Sequence, residues 1–464
     1  MAIISQIATS DTADIAFARF FREWRVGALL RRCNFNKEKG VPCLQLLQLV
    51  FSLVFGHKNL FQTLQKPGST LASVAEKDTV YRFLNSCRYN WRKLLLLLVS
   101  NVISTAIEPL TSADRESVLI VDDSMFSRDR SKKVELLARV FDHVTGRFMK
   151  GFRMLTLGWS DGNTFLPVAF SLLSSADETN RLNGVSASVD KRTVGYRRRA
   201  EAMQKGTDTL ISLIDQAQRS GIQARYVLFD SWFAFPKTIL RVLDQKLDVI
   251  CMLKAMPNVF FGYGGQKLNL KALYGKVKKR SGRAGVLAAA HVIIGNDAQG
   301  NPVPAQIVFV KNRCGGREWL AILSTDVELP PEEVVRIYGK RWDIEVFFKM
   351  CKSHLGLAKE FQGRSYDMMV AHTTIVFMRY IMLAIQAREH EDPRTFGILF
   401  YHCCDELQDR TFASALILIM DLLKQAVGEL LVISETQIQE VFGHFLSKIP
   451  AWLSSFFGSQ ACES

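Results

Sequence analysis

Apolar residues recur at a spacing near 3.6 in IAFARFFREWRVGALL, LQLLQLVFSLVF and TVYRFLNSCRYNWRKLLLLL, so residues 1–110 read as helical throughout. From about residue 115 the period changes. The run SVLIVDD is short, apolar and rich in β-branched residues, which predicts a strand buried on both faces. GFRMLTLGWSDGNTFLPVAFSLL reads as two strands joined by the turn Ser160-Asp161-Gly162-Asn163. A polar, basic loop, ADETNRLNGVSASVDKRTVGYRRRA, leads into a helix through AMQKGTDTLISLIDQAQRSG that ends at Gly221. Then come a strand, RYVLFD, a helix, FPKTILRVLDQ, and a further strand, LDVICML. This alternation predicts an α/β layer with helices packed on a mixed sheet.

Residues 255–318 break the alternation with short β-like pieces, VLAAAHVIIG and PAQIVFVKN, separated by turn signals and flanked by the basic run KVKKRSGR. They read as a β-rich insertion. After EWLAILSTD a helix follows, announced by Pro330, Pro331, Glu332 and Glu333. The expected division is therefore a helical region 1–110, an α/β core in two parts, 111–254 and 319–390, the insertion 255–318, and a helical region 391–464.

Composition narrows the class. With 48% hydrophobic and 22% charged residues over 464 positions, the chain is expected to fold into cores of ordinary size. The net charge of +14 points to a polyanionic partner. It is unevenly spread: residues 1–110 carry 14 basic and 7 acidic side chains, residues 361–464 carry 7 and 12. A basic front and middle with an acidic tail suits nucleic acid. In the front, Tyr81, Arg82, Arg88, Tyr89 and Arg92 could meet a DNA groove, or could equally be the basic surface of an ordinary bundle. The nine cysteines include no CxxC pair and read as reduced thiols in a cytoplasmic protein. No secretion signal is apparent at the N-terminus, and the most apolar windows read as buried helices, so no membrane is expected.

The helix through YGKRWDIEVFFKMCK sharpens the chemistry. At 100° per residue from Tyr338, Arg341 falls at about −60°, Glu345 at about −20°, Lys349 at about +20° and Lys352 at about −40°, opposite an apolar face of Ile344, Phe347, Phe348 and Cys351. The plainest account is a solvated face with an Arg341–Glu345 pair contributing a few tenths of a kcal/mol. Two strands upstream weigh against it. VLIVD ends at Asp122 and YVLFD ends at Asp230, and ligands of open α/β sheets gather at such carboxyl ends. Two aspartates and Glu345 would make a hard oxygen site for Mg²⁺ or Mn²⁺. Arg341 could then grip a phosphate, Lys352 act as a point charge and Tyr338 donate a hydrogen bond. Trp342 and Trp319 are candidates for stacking on a base, and Lys349 adds to the positive field. Adjacent residues on a strand point to opposite faces, so only one of Asp122 and Asp123 should reach the site.

The order Tyr338, Arg341, Glu345, Lys352, with VDDS and LFDSWF before it, resembles the signature of the insertion-sequence-four family of bacterial DDE transposases. The resemblance spans roughly residues 115–390. It implies an RNase H-like core with a triad of Asp122, Asp230 and Glu345 holding two divalent metal ions, Mg²⁺ or Mn²⁺. It also implies cleavage at terminal inverted repeats and strand transfer into target DNA, in some relatives through a hairpin. The helical front would recognise the repeats, and the tail would serve a homodimeric synapsis. A non-cleaving DNA-binding descendant and a metal-dependent nuclease of the same fold are the alternatives.

Overall fold

The computed structural model describes residues 16–56, 60, 76–112, 115–142, 146–280, 285–312, 319–359 and 363–389, with scattered positions between 396 and 444. Eleven strands form one mixed sheet. Its centre is β1 (Val118–Ser127), antiparallel to β3 (Arg147–Ser160) and parallel to β5 (Tyr226–Phe229), which in turn lies parallel to β6 (Asp248–Leu253). The strand β4 (Phe165–Leu173) pairs with β3, giving the order β4-β3-β1-β5-β6. Three antiparallel strands followed by two parallel ones make an RNase H-like sheet. Val118 to Val121 and all of β5 are buried, as their unbroken apolar runs require.

The expected insertion continues this sheet. β11 (Trp319–Ser324) pairs with β6 on one side and β10 (Pro302–Lys311) on the other, and β9 (Val286–Asn296) follows. The short β7 (Phe260–Tyr263), β8 (Gln266–Asn269) and helix α9 (Leu270–Lys276) complete that end. A strand that the sequence pattern does not predict, β2 (Ala138–Asp142), pairs with the start of β3.

The front holds α1 (Ala16–Glu23), α2 (Val26–Arg32), α3 (Cys43–Ser52), α4 (Lys77–Leu84) and α5 (Trp91–Val102). Core helices are α6 (Val194–Ala202), α7 (Gly206–Arg219), α8 (Pro236–Leu243), α10 (Pro331–Gly339), α11 (Trp342–Ser353) and α12 (Tyr366–Glu389). Two helices expected to be continuous are divided, and α6 forms within the stretch expected to be a loop, separated from α7 by Met203 to Lys205. Asn85 to Asn90 part α4 from α5, which Asn90 caps by accepting the Lys93 amide at 3.2 Å. Lys340 with Arg341 part α10 from α11. At the last break the amides of Lys340, Arg341 and Asp343 bond three residues back rather than four, which tightens the turn. Gly339, a poor helix former, sits at the break.

By length and composition alone, Trp91–Leu110 and Tyr366–Arg388 could each cross a membrane. The second is wholly buried in protein, as a helix apolar all round must be. It packs against α5 on one side and β4 on the other, so the front helices and the sheet share one hydrophobic core. Arg379 of α12 donates to the carbonyls of Val50 (2.6 Å), Phe51 (3.0 Å) and Leu355 (3.1 Å). A second buried junction joins α6, the start of α12 and the chain before β2. There Arg199 meets Glu135 at 2.7 Å and Asp367 at 2.8 Å, and Arg198 meets Asp367 at 2.6 Å. The expected helical tail lies largely outside the described residues; positions 398–401 and 403–405 are helical.

Candidate active site

The parallel register of β1 and β5 runs from Val118 opposite Tyr226 to Val121 opposite Phe229. One step further places Asp122 beside Asp230 at the carboxyl edge, on strands about 4.8 Å apart. Each carboxylate is fixed locally. The Trp232 amide donates to Asp230 Oδ1 at 3.0 Å, and the Asp123 amide to Asp122 Oδ1 at 2.8 Å. Helix α11 crosses β1 with Ile344, Phe347 and Cys351 buried beneath it. Its first turn is anchored by Ser160 Oγ, which donates to Asp343 Oδ2 at 2.8 Å.

Arg341, at the break before α11, joins the parts. One guanidinium nitrogen reaches Asp122 Oδ2 at 3.2 Å, and the other bonds Glu345 one turn along. The Asp122 carboxyl is pushed up to about 7. Burial is the main cause, and the negative charges of Asp230 and Glu345 add to it, opposed by Arg341 and Arg153. The three carboxylates and two guanidiniums are therefore one electrostatic unit. Among the described residues no three His, Cys, Asp or Glu side chains stand close enough to hold a metal ion. Asp122 and Asp230 are an adjacent pair of hard oxygen donors of the kind Mg²⁺ or Mn²⁺ takes. Glu345 is engaged by Arg341 instead of completing the set.

The remaining expected residues are placed as follows. Tyr338 is buried, its ring 5.9 Å from the Arg341 guanidinium, and its hydroxyl makes no hydrogen bond among the described residues. Burial raises that hydroxyl above the ordinary tyrosine range. Lys352 is partly buried; burial lowers its ammonium, with Asp142 and Asp122 acting the other way. Lys349 is exposed on α11. Trp342 is 63% exposed beside Arg341. Trp319 lies at the same carboxyl edge two strands beyond β5, packed on Tyr274 and Phe309 with ring centroids 5.0 and 5.1 Å away. Of the front residues, Arg92 is buried on Glu201 and Tyr89 stacks on Phe35 at 4.6 Å, while Arg82 and Arg88 stay at the surface.

Two groups at the site have no counterpart among the expected residues. Arg153 of β3 pairs with Asp123 and lies 5.0 Å from the centroid of the Trp232 ring, which is 46% exposed. Asp123 is thus turned to Arg153 while Asp122 meets Arg341. An arginine interrupting the apolar run GFRMLTL is the available signal, since only a partner makes a half-buried guanidinium tolerable in such a strand.

Two family models match the chain. One, described as a DDE superfamily endonuclease, covers residues 54–268 and so includes Asp122 and Asp230. The other, a transposase DDE domain, covers residues 198–382 and includes Asp230 and Glu345. No curated protein matches. Over residues 54–382 the chain is thus similar to DDE-type domains, which indicate transposase or endonuclease activity on DNA, and enzymes of that superfamily generally use divalent metal ions.

Proposed function

We propose that the protein is a DNA transposase of the insertion-sequence-four type, cutting at terminal inverted repeats and joining the freed ends to target DNA. The observation that supports this most is the strand register that sets Asp122 beside Asp230, with Glu345 tied to Asp122 through a shared arginine.

In this reading Asp122, Asp230 and Glu345 would hold the metal ions, two of Mg²⁺ or Mn²⁺, with Arg341 leaving Glu345 for a DNA phosphate. The ions would supply charge neutralisation at phosphorus and activation of the attacking oxygen. The chain's own side chains do the rest. Arg341 offers a planar fork to two phosphate oxygens, and Lys352 a point charge beside Asp122. Trp342 and Trp232 present aromatic faces to a displaced base, and Lys349 adds positive potential; Trp319 is the third aromatic candidate along that edge. Burial of the apolar face of α11 keeps these groups aimed at the carboxyl edge. Recognition of the repeats falls to the helical front, 1–110, and a homodimer brings two ends together through the region 391–464. The alternating division of the core at 111–254, 255–318 and 319–390, a hairpin route to joining and a cytoplasmic, nucleoid-bound location belong to the same proposal.

The test uses inverted repeats flanking the reading frame as labelled duplexes. Mg²⁺- or Mn²⁺-dependent nicking at the repeat end, lost in Asp230→Ala and Glu345→Ala, is expected. Cleavage retained by either variant refutes the triad. The hold of Arg341 on Glu345 favours one second reading, a protein that binds ends without cutting; tight binding with no nicking under any divalent metal would establish it. Cleaved but never joined products would mark a nuclease instead.

A further inference from the structure

A cleft of about 910 Å³ opens where the two catalytic elements run out. Its described walls are residues 127–134, which continue β1 beyond Asp122, and Ala358, Lys359, Gly363 and Arg364, which follow α11. Arg130, Lys132, Lys133, Lys359 and Arg364 line it, and among the described residues none forms an ion pair. The one acid among the described wall residues, Asp129, accepts the Lys150 amide at 3.4 Å.

Arg128 makes the cleft more than a charged surface. It is only 9% exposed, stacks on the Phe126 ring at 5.0 Å and donates to the Ala358 carbonyl at 2.9 Å. Among the described residues its Nε–H has no acceptor and no carboxylate pairs with it. The buried arginines 92, 198 and 199 meet carboxylates, and the buried Arg379 donates from all three of its guanidinium nitrogens to backbone carbonyls. A buried guanidinium without a counter-charge is costly, and an anion arriving from the cleft would supply one. The walls are also held in place. The Glu135 amide donates to the Arg364 carbonyl at 2.9 Å, tying one wall to the other, and Asn183 Nδ2 bonds the carbonyls of Lys132 (3.0 Å) and Val134 (2.7 Å). Such a site needs little ordering on binding.

We propose that this cleft is a phosphodiester-binding trench that takes the backbone of duplex DNA as it leaves the catalytic edge. Ser127 lies five residue steps along the strand from Asp122, about 16 Å at the rise of a strand. That is roughly five base pairs along a duplex axis. The trench would therefore grip DNA beside the cleavage point and not at it. The proposal rests on the transposase reading.

The experiment measures binding of the full chain to a fluorescent duplex of arbitrary sequence across a salt series. The variant is Arg130→Gln/Lys132→Gln/Lys133→Gln, three side chains with no ion-pair partner among the described residues. A charge-matched control is Lys246→Gln/Lys267→Gln/Lys271→Gln, outside the cleft. Thermal melting confirms that both variants fold. For the cleft variant the slope of log K against log salt should fall by up to about 2.7, that is about 0.9 for each phosphate no longer neutralised, with affinity at physiological salt down at least about tenfold. The control should keep most of both. A cleft variant that binds like the parent overturns the trench, as does a control that loses as much. The outcomes for trench and transposase are separable. If the parent cuts repeat ends and the cleft variant binds and cuts equally well, the trench fails and the transposase stands. A parent that neither binds nor cuts DNA removes both.

Discussion

Replacing Asp122 by asparagine should stabilise the metal-free protein while abolishing cleavage. The wild-type carboxyl is raised from 3.8 to about 7, so the folded protein holds a proton that the unfolded chain gives up near pH 4. Between those values the folded state binds more protons than the unfolded state, and stability falls as pH rises. Above about pH 7 the loss is complete. At 1.36 kcal/mol per unit it amounts to about 4 kcal/mol. Asparagine keeps the shape and carries no charge, so it escapes that cost. Unfolding entropy scales as about 2.1 cal/mol/K per residue, or roughly 1 kcal/mol/K for this chain, which converts the gain to a rise of about 4 °C in Tm at about pH 8. Near pH 4 the two proteins should melt together. Differential scanning calorimetry in chelator across this range is the assay, and added Mg²⁺ should narrow the gap at high pH by stabilising only the wild type. A difference that is independent of pH, or a variant that melts lower at about pH 8, refutes the electrostatic account.

Arg341→Ala removes the nearest cation opposing the rise in the Asp122 carboxyl, so the acid limb of metal-dependent cleavage should move to higher pH, read from a pH–rate profile. Arg199→Met strands Glu135 and loosens Asp367 in a buried junction, and chemical denaturation should show a loss of about 3–5 kcal/mol. Gly151→Ala would set a methyl 2.3 Å from the Phe126 carbonyl oxygen, forcing β1 and β3 apart; a loss of about 1–3 kcal/mol in the same assay is expected, with cleavage falling as Asp122 shifts. Trp342→Ala should leave Tm within about a degree, because its ring is 63% exposed, and Trp232→Ala should cost little more, its ring being 46% exposed, while 2-aminopurine placed at the cleavage point reports which ring stacks on it.

The two apolar runs are legible in the sequence because burial on both faces demands an unbroken apolar stretch, and β5 does stop before its aspartate; β1, expected to end at Asp122, instead runs on to Ser127 because β3 pairs with it that far, so only its pairing with β5 closes there. The adjacency of the runs is not legible, since nothing local to VLIVD or YVLFD states that they pair; it emerges from the register. The break at Lys340 and Arg341 is hard to read because only Gly339 marks it, and apolar spacing continues through α10 and α11. Arg341, which reaches both Asp122 and Glu345, sits at that break. β2 is hidden for another reason. Its five residues, ARVFD, alternate between buried and exposed over too short a run to mark a strand by themselves, and β3 extends beside them. Arg153 and Trp232 meet across the sheet, a meeting with no signature in sequence spacing.

The grip of Arg379 bears on how this chain could be trimmed or shuffled. A single guanidinium satisfies the carbonyls of Val50 and Phe51 at the end of α3 and the carbonyl of Leu355, so the front helices and the segment leaving the catalytic helix share one fastening point. Deleting the front would uncover the apolar length of α12 and leave that cation facing open solvent on one side. The front is thus not separable from the sheet: replacing the whole of it would take two of the three acceptors from Arg379 and the packing from α12, whereas changes at its exposed side chains leave that fastening intact.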